Sequence, residues 1–322
     1  MARTWLYGGA SLAVLSAALF QVYIRSPALN VHGVHREIHP INHNNCQSVP
    51  ELQACEKITI LSSGIMYLAC AGTIESRTAW MPTLDALNAT AVLTRSTADY
   101  LATYDTSTGA ITKLAVRGLS DPRGLNLHGM DVVPDELDPT MLWIYLVNHR
   151  PEPESPHKGA NSVIEILKTR VGADYVEWVQ TVEDAHVIVT PNDIVGANNG
   201  KEFWFTNDNG AKVGIASDGS FWVGDYRNGQ LTVHKPNKDK TLQHVATVMT
   251  GLPLDNLALS ADGSIIAAAI PKVHLLSDAM NNRSSNVPST VLRVPNATLG
   301  GNYKVEKASY PRIVPFFQAG AG

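Results

Sequence analysis

Apolar positions along this chain fall into two regimes. Trp5 to Ile24 is almost uninterrupted, WLYGGASLAVLSAALFQVYI, with Arg3 before it and Arg25 after it. About 20 apolar residues are just enough to span a bilayer as a helix, or to serve as the hydrophobic region of a signal peptide with its flanks. Beyond this leader the apolar residues come in short runs, many of them β-branched, broken by Asp-Gly or Gly-Asn turns. Stretches at helical period are scarce, which predicts an all-β body.

The body repeats a theme in which a pair of short strands is followed by a more polar hairpin. The first cycle reads ITILSSGIMYLAC and then DYLATYDTSTGAITKLAV. The second reads HGMDVVPDELDPTMLWIYLVNH and then NSVIEILKTRVGADYVEWVQTV. The fourth pairs VGIASDGSFWVGD with GQLTVHKPNKDKTLQHVATV, and the fifth pairs DNLALSADGSIIAAAI with STVLRVPNATLGGNYKVEKASY. A four-stranded unit returning every 40 to 60 residues or so is the signature of a β-propeller blade.

The third cycle breaks the rule. NDIVGANNGKEFWFTND supplies its inner strand pair, but the chain then runs through NGAKVG into the next inner pair, and only 21 positions separate Asn192 from Val213. The sequence also stops at VPFFQAGAG, where a further inner pair is expected. The reading is an internal deletion and a C-terminal truncation relative to a complete propeller. Residues 1–25 are then a signal anchor, or alternatively a cleaved signal peptide, and residues 26–322 one propeller domain.

Composition adds constraints. The chain has 322 residues and a formal net charge of -4, with no basic run or aromatic-basic patch, which gives no support for nucleic-acid binding, and no nucleic-acid partner is expected. No A-x-A site follows the leader, which favours an anchor in the membrane facing the lumen or exterior over secretion. Three glycosylation sequons agree with the secretory pathway: Asn88-Ala-Thr, Asn282-Arg-Ser and Asn296-Ala-Thr. Of the three cysteines, Cys46 and Cys55 are close enough in sequence to pair in an oxidising compartment, which leaves Cys70 as a buried core residue within MYLACAG.

There is no G-x-S-x-G elbow, H-E-x-x-H or dinucleotide-binding glycine pattern. The notable polar residues sit where cycles begin: Glu56, His128, Asn192 with Asp193, Asn209, and Asp255 with Asn256. In a propeller the starts of the innermost strands converge on one end of the central channel. Carboxylates and Asn amides together form a hard-oxygen set that suits calcium and suits zinc poorly. Asn and Asp also favour turns before strands, the competing explanation for any one of them.

LNLHGMDVVPD, IYLVNHR, PNDIVGANNGKEFWFTND and LPLDNLALSADG, in this order between about Cys46 and Tyr310, resemble segments of the paraoxonase/arylesterase family. The resemblance implies a six-bladed propeller holding one catalytic and one structural calcium, and hydrolysis of lactones and aryl esters, with phosphotriesters in some members. It implies Glu56, Asn192, Asp255 and Asn256 as catalytic-calcium ligands. Asn209 is the nearest match to the remaining Asn ligand, displaced by two residues beside the deletion. His128 matches the histidine beside the metal, His149 its partner, and Asp193 a ligand of the structural calcium. The acidic residue expected after Glu56 is Lys57 here, which puts the second calcium in doubt.

On this reading calcium polarises an ester carbonyl, and water attacks with His128 as general base and His149 orienting or relaying. Asp255 is an alternative or shared base. Two other readings share the pattern: a strictosidine-synthase-like propeller without catalytic calcium, and a non-catalytic propeller that binds ligands or is an inactive remnant of the enzyme.

Overall fold

The computed structural model describes residues 2–41, 47–207, 211–216, 218–260, 262–281, 287–295, 297 and 300–309. The leader forms one helical run: α1 (Ala2–Phe20), a π-helical turn over Gln21–Arg25, and α2 (Ser26–Val31). It extends past the expected boundary at residue 25. Ala10–Val31 is 22 residues long with a mean hydropathy of 1.4 and has no buried residue, about 33 Å of helix at the usual rise per residue. Beyond it Arg36 donates to the carbonyls of Asn30 (2.7 Å), Gly251 (2.9 Å) and Pro271, tying the leader's exit to the last sheet of the body.

The body is all-β. The first blade is β1 (Cys55–Ile60), β2 (Ile65–Cys70), β5 (Tyr100–Asp105) and β6 (Ile111–Lys113). An insertion between β2 and β5 carries α3 (Ile74–Ala79), the small hairpin β3 (Trp80–Met81) and β4 (Ala86–Leu87), and α4 (Ala89–Leu93). Thr73 caps α3 by accepting from the Ser76 amide (3.0 Å), and Asn88 caps α4 through the Ala91 amide (3.1 Å). The second blade, β8 (Leu127–Pro134), β9 (Met141–Arg150), β10 (Asn161–Arg170) and β11 (Tyr175–Val182), gains a fifth, parallel strand at its edge from β7 (Ala115–Arg117).

The third sheet has only two strands, β12 (Pro191–Gly196) and β13 (Phe203–Asn207), as the short third cycle implies. The fourth blade is β14 (Ala211–Ile215), β15 (Phe221–Asp225), β16 (Gln230–Pro236) and β17 (Leu242–Met249). The fifth sheet is β18 (Leu254–Leu259), β19 (Ile265–Ala269), β20 (Thr290–Val294) and β21 (Glu306–Ser309). The result is a propeller-like ring of four blades with a two-stranded sheet set among them. The expected count of six is not reached among the described residues, because the third cycle lacks its outer hairpin and the chain after Ser309 lies outside them.

Innermost strands β1, β8, β12, β14 and β18 pack side by side in that order, and β18 returns to β1, closing a ring around a central channel. Strand periodicity explains the packing between sheets. Along β9, Leu142, Ile144 and Leu146 face the first blade, while Tyr145 and Val147 face the two-stranded sheet. Trp222, Leu231, Leu254, Ile265 and Leu292 fill the seam between the fourth and fifth sheets. The seam beside the two-stranded sheet is thinner, with Val195, Val213 and Phe221 buried under Trp204.

The disulfide differs from expectation. Register in the first hairpin sets Cys55 opposite Cys70, and the two sulfurs are bonded. Cys70 is fully buried as anticipated, but as half of a cross-strand bridge. Cys46, the partner proximity favoured, lies outside the described residues, as do Asn209 and the sequons at Asn282 and Asn296.

A candidate metal and catalytic site in the channel mouth

Four of the five innermost strands share one irregularity. Ladder pairing slips between Cys55 and Lys57 in β1, between Leu127 and Met130 in β8, between Pro191 and Ile194 in β12, and between Leu254 and Leu257 in β18. The residues inside these bulges are Glu56; His128 and Gly129; Asn192 and Asp193; Asp255 and Asn256. A bulge leaves side chains out of the regular alternation and re-aims them. Here Glu56, His128, Asn192, Asp255 and Asn256 all line one cavity of about 420 Å³. Gly129 permits the closeness: a Cβ there would lie 2.5 Å from the Asn192 carbonyl oxygen and 2.8 Å from the Asp193 Cα.

Within the cavity the Asn256 amide donates to the Glu56 carboxylate (3.1 Å) and to the Glu56 backbone carbonyl (2.6 Å). Donation through Nδ2 fixes which way the amide faces. The side-chain oxygens of Asn256 and Asn192 are both buried without a hydrogen-bond partner, although Asn192 is only 4% exposed. Two buried acceptors left over beside two carboxylates, Glu56 and Asp255, form a set of hard oxygen donors. Among the described residues no group of three or more His, Cys, Asp or Glu side chains has metal-holding geometry. The donor set fits calcium, whose shell accepts carboxylate and amide oxygens together.

His128 lies against this set, its Nε2 3.5 Å from Glu56 Oε1. His149 stands behind it, away from the cavity, with ring centroids 5.3 Å apart in an edge-on arrangement. Both rings are buried. Ser162 Oγ sits 2.9 Å from His149 Nδ1, and Trp80 in the insertion bonds the His149 carbonyl (2.8 Å). Tyr226 forms part of the cavity wall, its phenol pushed up in pKa by burial and then by the Asp255 charge.

Asp193 does not face this cavity. Its carboxylate is fully buried deeper in the channel, 2.7 Å from the ammonium of Lys57, which also donates to the Leu257 carbonyl (3.1 Å). Asp131 of β8 lies nearby on a second chamber toward the opposite mouth, which Lys57 also lines. Burial pushes the Asp131 carboxyl up to about 6, against the Gly196 amide and the Lys57 charge that pull it down.

Sequence reasoning missed the insertion's contribution. Arg77 on α3 and Met81 and Leu84 after it line the cavity together with Tyr226 and Arg227. The only signal was the extra length between the first two strand pairs, and length does not say where an insertion folds back.

No family model matches the chain, and no curated protein does. Solved structures with partial likeness include the periplasmic gluconolactonase of Pseudomonas aeruginosa, at 12% identity and TM-score 0.42 over 78% of this chain and 71% of that one. The major allergen Mala s 1 of Malassezia sympodialis is 8% identical with TM-score 0.44, over 80% and 79% of the two chains. Virginiamycin B lyase of Staphylococcus aureus is 11% identical with TM-score 0.39, over 85% and 88%. Likenesses of this size assign no activity, and the reading of the site rests on its own residues.

Proposed function

We propose that this chain is a calcium-dependent hydrolase of lactones and aryl esters of the paraoxonase/arylesterase type. The observation that carries the reading is the coincidence of four bulges, which deliver Glu56, His128, Asn192, Asp255 and Asn256 to one cavity. The leader helix and the cross-strand disulfide support a domain of residues 26–322 held at a membrane on the lumenal or exterior side.

Glu56, Asn192, Asp255 and Asn256 would hold the ion, with Asn209 as a further ligand. Bound calcium supplies Lewis-acid polarisation of an ester carbonyl and charge for the developing oxyanion. His128 takes the proton of the attacking water at Nε2, where the neighbouring Glu56 carboxylate stabilises the imidazolium. The water oxygen bonds to the acyl carbon, the acyl C–O bond breaks, and the proton passes to the leaving oxygen. In the tautomer that donates Nδ1–H to Ser162, His149 keeps Nε2 as an acceptor. It then orients His128 or relays its proton. The near-complete burial of both rings keeps bulk water from competing for that proton.

Within this family reading, a six-bladed parent has lost the outer half of its third blade here. That loss favours a second reading, a propeller that binds the same ligands without turning them over. Assay of the purified chain on phenyl acetate and on a simple lactone, with calcium and then with EDTA, separates the two. Hydrolysis abolished by EDTA and restored by calcium supports the enzyme. Absence of turnover in a chain that still binds calcium supports the binder.

A further inference from the structure

The cavity walls carry charge that the chemistry above does not use. Arg77 is 5% exposed, and its two terminal nitrogens donate to the carbonyls of Leu127 (2.6 Å) and Ala54 (3.4 Å). Its Nε–H is buried without a hydrogen-bond partner. Arg227, on the turn between β15 and β16, is exposed at the cavity rim. Among the described residues no carboxylate lies within ion-pairing distance of either guanidinium, whereas Arg95, Arg123, Arg150, Arg170 and Arg293 each have at least one. The charged side chains of the wall are therefore two acids, Glu56 and Asp255, and two guanidiniums. They cancel before any ion binds, and a divalent cation on the acids leaves the cavity doubly positive. Such a cavity attracts anions and holds them by charge-assisted bonds, for which a guanidinium is well shaped.

We propose that the site selects substrates bearing a carboxylate remote from the scissile ester, with Arg227 as the specificity-determining residue that binds it at the rim. Resting on the calcium-hydrolase reading, this deepens it by naming the substrate class. Arg77 contributes fixed positive potential from within the wall. Apolar lining residues of the cavity, Leu84, Leu254, Ile270 and Leu276, accommodate the aliphatic spacer between the two ends of such a molecule.

The test compares two lactones with the same ring and alkyl tail, one tail ending in a methyl group and the other in a carboxylate. With calcium and at low salt, the carboxylate lactone is expected to show kcat/KM about tenfold higher, the value of one modest charge-assisted contact. The advantage should shrink near 1 M salt, where screening acts within about 3 Å. Arg227→Gln should raise KM for the carboxylate lactone about tenfold, leave its kcat in place, and shift the methyl lactone by less than about twofold. Equal kcat/KM for the two lactones, or an equal effect of Arg227→Gln on both, overturns the proposal. Calorimetric titration of both molecules into the calcium-loaded chain keeps the two claims distinguishable. Tighter binding of the carboxylate without turnover upholds the anion site and sinks the hydrolase reading, while equal binding overturns the anion site whatever the turnover.

Discussion

The ammonium of Lys57 lies 2.7 Å from Asp193 Oδ2 in the channel, with the two side chains 6% and 0% exposed. Lys57 comes from the first blade and Asp193 from the two-stranded sheet, and the Leu257 carbonyl to which Lys57 also donates comes from the last. One tethered cation thus joins three sheets at the place where the family resemblance implies a structural calcium.

Removing one partner of this pair should cost much more than removing both. Lys57→Met strands the Asp193 carboxylate in a dry site and is expected to destabilise the fold by about 3–5 kcal/mol. Lys57→Met combined with Asp193→Leu should recover most of that loss. Urea unfolding of both single variants and the double variant measures the coupling. Additive losses would mean that the pair does not act as a unit.

Asp131 gives the channel a pH dependence of definite sign. Its carboxyl is raised to about 6 in the folded chain, chiefly by burial, against about 3.9 when unfolded. The folded state therefore holds the proton more tightly. Its contribution is fully present below about pH 4 and is lost as pH rises through 6. The change amounts to roughly 3 kcal/mol over that window. Thermal melts of the wild type and Asp131→Asn from pH 4 to 8 should diverge between pH 4 and 6 and run parallel above it. A difference independent of pH would show that Asp131 titrates as it does in the unfolded chain.

Non-reduced peptide mapping should link Cys55 to Cys70. Closing a loop of this size, with a sequence separation of 15, is worth about 3 kcal/mol, so reduction should lower the melting temperature clearly. Recovery of a Cys46–Cys55 peptide instead would contradict the strand register.

These outcomes also mark how far the sequence could be read. The all-β body and the missing outer half of the third blade were legible because turn signals and strand alternation act locally. Glu56, His128, Asn192, Asp255 and Asn256 were legible as a group because each starts an innermost strand, and such starts meet at one end of a channel. The bulges that aim them were not, because a bulge depends on the partner strand's register. Cys55–Cys70 was missed for the same reason. Lys57 was seen as a departure, but its bond to Asp193, 136 positions away in sequence, needed the closed ring. Arg77 and Arg227 reach the cavity from an insertion and a turn, elements whose placement no periodicity encodes.

For the reaction itself, His128→Gln should cut turnover by about 100- to 10,000-fold while calcium affinity holds, because the role proposed for the ring is to move protons rather than to ligate the ion. Ser162→Ala should act more mildly, releasing the His149 tautomer and shifting the pH profile of kcat more than KM. Unchanged turnover in His128→Gln would remove the histidine from the mechanism.

The most direct measurement is calorimetric titration of calcium into the EDTA-stripped chain, with melts before and after. One ion per chain is expected, with a stability gain of about 2.7 kcal/mol at 100 times the dissociation constant. Asp255→Ala should abolish both, and Lys57 should keep the stoichiometry at one. A chain that releases no heat, and whose melt is the same in calcium and in EDTA, would contradict the metal site and the hydrolase built on it.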